Sequence, residues 1–215
     1  MIYSFDKSLD NLPKNIPLFP LNKVLILPRS KLPLNLFENR YLHMFDHALC
    51  HGRLIGIIQP KESSTSNKQI KNPKLYDIGC AGLITAFSQT NDNRYEIILK
   101  GICRFKIVSE EKILKGFRRA NICWDVFKED FKQKKLDKTS NRKEFESLLK
   151  SYLNKSSIQA DWDAIQATDD EGLVNSISMG CPFDVSEKQA LLEAKCINDR
   201  MSVLNSLMQM HLNEN

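Results

Sequence analysis

Between residues 16 and 37 the chain is dominated by apolar residues, yet proline interrupts them at Pro17, Pro20, Pro28 and Pro33. Proline has no N–H to donate to a sheet ladder, so strands built from this stretch are not expected in the middle of a sheet. The runs 16–21, 24–28 and 32–37 are expected as short extended pieces at sheet edges, strand ends or bulges. Further strands are expected at 54–58, 78–88, 94–99, 102–108 and 118–126, where β-branched and apolar residues cluster. Asn91, Asp92 and Asn93 supply turn chemistry between the second and third of these, which makes that pair the clearest hairpin. Gly79 and Gly82 predict a bulge or sharp coiling. One helix interrupts the series at 38–51, with Tyr41, Leu42, Phe45, Ala48 and Leu49 on one side and Gly52 as its cap. The polar stretch 61–73 reads as a mobile loop. Strands without alternating helices argue for a small antiparallel barrel or folded sheet.

From residue 141 the apolar period changes to that of helices. Phe145, Leu148, Leu149 and Tyr152 share a face, as do Leu173, Val174 and Ile177, and then Met201, Leu204, Leu207, Met208 and Leu212. Asp169, Asp170 and Glu171 suit a helix start. Ser186 to Gln189 match a capping box, and Asn198 is placed to cap the last helix. The organisation expected is a β domain at 1–130, a basic linker at 131–140 and a helical bundle at 141–215: an α+β chain, an antiparallel barrel followed by a C-terminal helical bundle.

Charge follows the same division. The net charge is +5 over residues 1–111, +7 over 112–143 and −7 over 144–215. The basic middle, densest over Lys128, Lys132, Lys134, Lys135, Lys138, Arg142 and Lys143, fits either a phosphate-binding patch or a solvated linker offset by the acidic tail. Few aromatics interleave these lysines, which argues against base stacking.

Enzymatic motifs are missing. No Gly-Lys pair exists for a P-loop, no G-x-G-x-x-G for a dinucleotide, and no G-x-S-x-G for a hydrolase elbow. His43, His47 and His51 recur at helical spacing, but on a side expected to meet solvent and with no glutamate in an H-E-x-x-H arrangement, so no metal or cofactor is expected. The six cysteines form no C-x-x-C pair, and Cys80, Cys103 and Cys123 sit in apolar runs, where small buried hydrophobes in a reducing cytosol are expected. No apolar run reaches the ~18 residues of a membrane span, and residues 1–15 do not read as a secretory signal. A cytoplasmic protein is expected.

The ordered segments 16–21, 24–28 and 32–41, then 53–60, 76–82 and 99–105, resemble the amino-terminal substrate-binding domain of Lon proteases. Residues 181–194 are similar to a segment of the stand-alone bacterial members of that family. The resemblance covers 16–212. It implies a PUA-like β barrel followed by a helical bundle, and a module that contacts unfolded or partly folded polypeptides, alongside a protease or chaperone system. It also implies no catalysis, since the chain ends where the ATPase and peptidase of Lon would begin. Leu27, Pro28, Leu32, Pro33, Phe37 and Tyr41 are the candidate polypeptide-binding residues. Glu38 and Arg40 are expected as an ion pair at the helix start. The alternative is an RNA-binding PUA-like protein using the basic 112–143 region.

Overall fold

The computed structural model describes residues 12–61, 72–92, 94–132 and 142–213. Most of the expected loop 61–73, residues 133–140 of the expected linker with Lys134 and Lys135, and Asn93 of the expected turn lie outside the described residues. The chain divides into two compact units, residues 1–132 and 133–215.

The first unit is a six-stranded sheet: β1 (Asn15–Pro20), β2 (Lys31–Leu36), β3 (Leu54–Ile58), β4 (Ile78–Gln89), β5 (Tyr95–Glu110) and β6 (Arg118–Cys123). Helix α1 (Asn39–Cys50) precedes β3. The strand order is β2-β5-β4-β3-β1-β6, and β6 pairs again with the far end of β5. Five strands therefore form a ring of pairings, in which β1, expected at an edge because of its prolines, is paired on both sides with β3 and β6; Pro17 is tolerated because the pairing with β3 starts only at Leu18. β2 stays outside the ring, bonded only to β5. The sheet is mixed rather than purely antiparallel, because β1 and β3 run parallel. Residues 21–53, with β2 and α1, supply the long crossover that a parallel pair needs.

The expected strand at 24–28 is not one. Leu25, Ile26 and Leu27 are buried in an irregular segment, held to β5 by Arg29 N–H donating to Gly101 O at 2.8 Å and Gly101 N–H donating to Ser30 O at 2.9 Å. That approach requires glycine: a Cβ on Gly101 would stand 2.0 Å from the Leu27 carbonyl oxygen. The expected strands 94–99 and 102–108 are one strand, β5, whose register shifts against β4 and β6 mark bulges that let it curve through both parts of the sheet. The expected strand 118–126 ends at Cys123, and a 3-10 helix (Asp125–Phe131) follows.

The ring encloses Ile16, Leu18, Leu54, Ile58, Ala81, Cys103, Phe105 and Ala120. The 3-10 helix is fastened to β5 by an ion pair almost fully removed from water. Arg104, 3% exposed, donates Nε to Asp130 Oδ2 at 2.9 Å and Nη2 to Oδ1 at 2.8 Å, and its backbone N–H donates to Oδ2 at 3.0 Å. The guanidinium lies 4.3 Å from the Phe127 ring centre. Buried and multiply hydrogen-bonded, the pair satisfies both ions.

The second unit packs α2 (Arg142–Lys155), α3 (Trp162–Ala167), α4 (Asp170–Gly180), α5 (Val185–Glu193) and α6 (Ile197–Asn213) around Phe145, Leu149, Phe183, Leu191 and Leu204. Of the expected α6 face, Met201, Leu204, Leu207 and Met208 are buried and Leu212 half-buried. Asp169 caps α4, accepting from Gly172 N–H at 2.7 Å. The capping box lies two residues earlier than expected, at Asp184 and Glu187, because α5 begins at Val185. Asn198 lies inside α6 rather than before it. Lys188, 2% exposed, reaches back to donate to Ser178 O at 3.1 Å and Met179 O at 2.5 Å, closing the carbonyl end of α4. Among the described residues no helix is long and apolar enough to cross a membrane.

Candidate functional site: an open face on the β2–β5–β4 arm

The β4–β5 hairpin, with β2 alongside, has two faces. On one, Phe87 and Tyr95 pack against Phe45 of α1, with ring centres 5.2 and 4.6 Å apart. Cross-strand partners point to the same side, so the other face follows from the register. It carries Lys31 opposite Lys100, then Pro33 opposite Ile98 and Ala86, then Asn35 opposite Glu96 and Ser88. All of these are exposed. A cavity of about 570 Å³, bordered by Pro33, Ala86 and Ile98, lies on this arm. Thr85 forms the bulge that brings Ala86 into line, and its hydroxyl donates to Ile98 O at 3.0 Å. Ile98 is 39% exposed and Phe87 50%. Phe37, 61% exposed at the end of β2, lies under the Arg94 guanidinium, 5.7 Å from its ring centre.

The outer edge of β2 has a direction too. Because Gly101 N–H bonds Ser30 O, the even-numbered residues of the strand turn their ladder groups to β5. Lys31, Pro33 and Asn35 turn theirs to the open edge. Pro33 sits where its missing N–H breaks no internal bond, and it weakens the edge as a template for strand addition.

The six candidate residues divide accordingly. Pro33 and Phe37 are exposed; Leu32, paired with Leu99, is half-buried on the α1 side. Leu27, Pro28 and Tyr41 are buried. Ala86, Ile98, Lys31, Lys100 and Glu96 were not among the candidates. The signal for Ile98 was present: Ile97, Ile98 and Leu99 are consecutive in a strand, and alternation forces the middle one out.

Tyr41 borders a second cavity, of about 740 Å³, with Arg40, Phe117 and Arg118. Its ring packs 4.2 Å from that of Phe19, and burial pushes its hydroxyl pKa upward. The expected Glu38–Arg40 ion pair is present, at 2.8 Å and largely in solvent. Arg118 is paired with Glu110 and donates to Pro73 O at 2.7 Å.

On the histidine side of α1, His43 and His51 are exposed as expected, while His47 is half-buried beside the turn at 114–117. His43 Nδ1 lies 3.3 Å from Lys115 O, and His47 packs against Phe117 and stacks on His51 at 4.0 Å. Burial, with His51 and Arg119 nearby, holds His47 below the ordinary histidine range. Among the described residues no three His, Cys, Asp or Glu side chains converge to hold a metal. In the basic region, Arg118, Arg119, Lys132 and Arg142 are all ion-paired, which leaves less charge there for phosphates.

The sequence model of the ATP-dependent protease La (LON) substrate-binding domain matches residues 15–210. The Lon protease of Escherichia coli K12 is 24% identical over 196 residues, covering 90% of this chain and 24% of that protein. The Lon protease of Desulfosudis oleivorans is 29% identical over 105 residues, which is 48% of this chain and 13% of the relative. The chain thus spans about a quarter or less of the Lon proteases it matches. Among solved structures, the N-terminal domain of Mycobacterium avium complex Lon protease superposes with a TM-score of 0.61 at 15% identity, covering 92% of this chain and 100% of that one. A Lon N-terminal domain protein from Xanthomonas campestris does so with a TM-score of 0.59 at 18% identity, covering 89% and 97%. Matched from the first strand of the sheet to the last helix of the bundle, the chain belongs to the LON substrate-binding domain family.

Proposed function

We propose that this chain is a non-catalytic polypeptide-recognition module, an adaptor of cytoplasmic protein quality control that holds unfolded or partly folded segments for a protease or chaperone. The observation that carries the reading is the open face of the β2–β5–β4 arm, where Pro33, Ala86 and Ile98 expose apolar surface in a groove. Such surface is costly in water and marks a place where a partner binds. Pro33 and Phe37 make direct contact in this reading. Leu27, Pro28, Leu32 and Tyr41 hold the surrounding strand and helix in place from beneath. Sequence-tolerant capture suits a groove that offers apolar area without many directional hydrogen bonds.

The test uses the full chain without an affinity tag and a permanently unfolded, labelled polypeptide, followed by fluorescence anisotropy. Micromolar affinity on the scale of about −8 kcal/mol is expected, unchanged by ATP. Ile98→Asp, on an exposed side chain, leaves the far-ultraviolet spectrum intact and weakens binding about tenfold. Absence of binding, or equal binding by the variant, refutes the reading.

A further inference from the structure

The groove is electrically lopsided. Just beyond one end, on the same face, Lys31 and Lys100 stand directly opposite each other on neighbouring strands. Both are exposed, and neither has an ion-pair partner among the described residues. Like charges placed so are mutually destabilising. At the other end stands Glu96, also exposed and unpaired among the described residues. Arg94, close in sequence, is engaged with Asp92 at 2.7 Å. Between the two ends lie Pro33, Ile98 and Ala86. Lys100 and Glu96 are four residues apart on one strand, about 13 Å at the rise of an extended chain.

We infer that this groove selects extended segments that carry an acidic residue four positions from a basic one, with an apolar residue midway. The inference rests on the proposed polypeptide binding and specifies the chemistry of the segment. An extended ligand has the same rise as the strands beneath it. Its carboxylate meets the lysine pair, its middle side chain meets Ile98 and Pro33, and its cation meets Glu96, all in one register. The complementary charge relieves the repulsion between the two lysines as well as adding attraction. Because the groove is read through side chains, either chain direction satisfies the pattern.

The experiment compares labelled, unstructured peptides with leucine at the centre and, two residues to either side, one acid and one lysine, two acids, two lysines, or two serines. Wild-type protein is expected to bind the acid–lysine peptide about five- to tenfold more tightly than the two-lysine or two-acid peptide, the size expected of a few solvent-exposed charge pairs, with the margin shrinking as salt is added. The Lys31→Glu/Lys100→Glu double variant reverses the order and prefers two lysines; Glu96→Lys prefers two acids. All three positions are exposed, so these variants keep the far-ultraviolet spectrum. Equal affinity for all four peptides overturns the inference while leaving polypeptide binding standing. No binding of any peptide, the serine one included, overturns both.

Discussion

Lys188 gives the helical unit a stability that rises with alkalinity, against the usual trend. Burial lowers its pKa from the ordinary 10.5 to about 8, the neighbouring Cys181 opposing the shift weakly. A lysine whose folded-state pKa is depressed keeps its proton in the unfolded chain but loses it in the folded one between those two values, so stability increases with pH across that window. The gap of two to three units corresponds to about 3 kcal/mol, absent at neutral pH and complete above pH 10.5. Cys181 acts in the opposite sense: burial raises its thiol from 9.0 to about 11, so the folded state retains a proton that the unfolded chain releases. Between pH 7 and 9 the lysine adds about 1 kcal/mol and the thiol removes a few tenths; from pH 9 to 10.5 the two slopes nearly cancel. Urea unfolding followed by far-ultraviolet ellipticity, at intervals from pH 7 to 10, measures this. Wild type should rise and then level, Cys181→Ala should keep rising, and Lys188→Met should fall by about 1 kcal/mol between pH 8 and 10. At neutral pH Lys188→Met should differ from wild type by less than about 2 kcal/mol, since the desolvated charge it removes offsets the two carbonyls it leaves unbonded. Parallel wild-type and Lys188→Met curves from pH 7 to 9 would refute the reasoning.

Two further outcomes concern the first unit. Asp130→Asn leaves Arg104 buried without a counter-charge and should cost about 3–5 kcal/mol, whereas Arg104→Met/Asp130→Leu together should restore much of the loss in the same denaturant melts. Gly101→Ala must push the 24–30 segment off β5, since its Cβ would overlap the Leu27 carbonyl; a loss of at least about 1–3 kcal/mol, with faster amide exchange at Arg29, is the expected reading.

What was legible in the sequence depended on how local the signal was. The β-to-α division, the β4–β5 hairpin and α1 rest on periodicity and turn chemistry confined to short windows, and these stand in the structure. The parallel pairing of β1 with β3 is a long-range choice that no window contains. The segment 24–28 has a strand's composition, yet its partner groups are met by Gly101 through loop geometry, which only the folded backbone defines. The same limit applied to the candidate site. Proline marked β2 as an edge and so pointed to Pro33, but Leu27 and Pro28 looked equally apolar and turned out to lie beneath the surface. Lys31, Lys100 and Glu96 form a pattern only once the register of β2 on β5 is known. In sequence they are scattered charges on exposed faces.

The placement of β2 explains why a groove exists here at all. A ring of pairings satisfies the strand edges and hides one face of every strand as core. β4 and β5 are too long for the ring, and their excess projects beyond it with β2 attached to one side. Helix α1 covers one face of that projection through Phe45, and nothing among the described residues covers the other. Apolar surface is thus left open on an element whose stability derives from the opposite face and from hydrogen bonds to β5. Substitutions at Ile98, Lys31 or Glu96 are therefore expected to change the proposed recognition with little effect on folding, while substitutions at Phe45 or Gly101 disturb folding first. The proposed binding face and the packed face lie on opposite sides of the same three strands, and measuring affinity and stability in one variant set separates them.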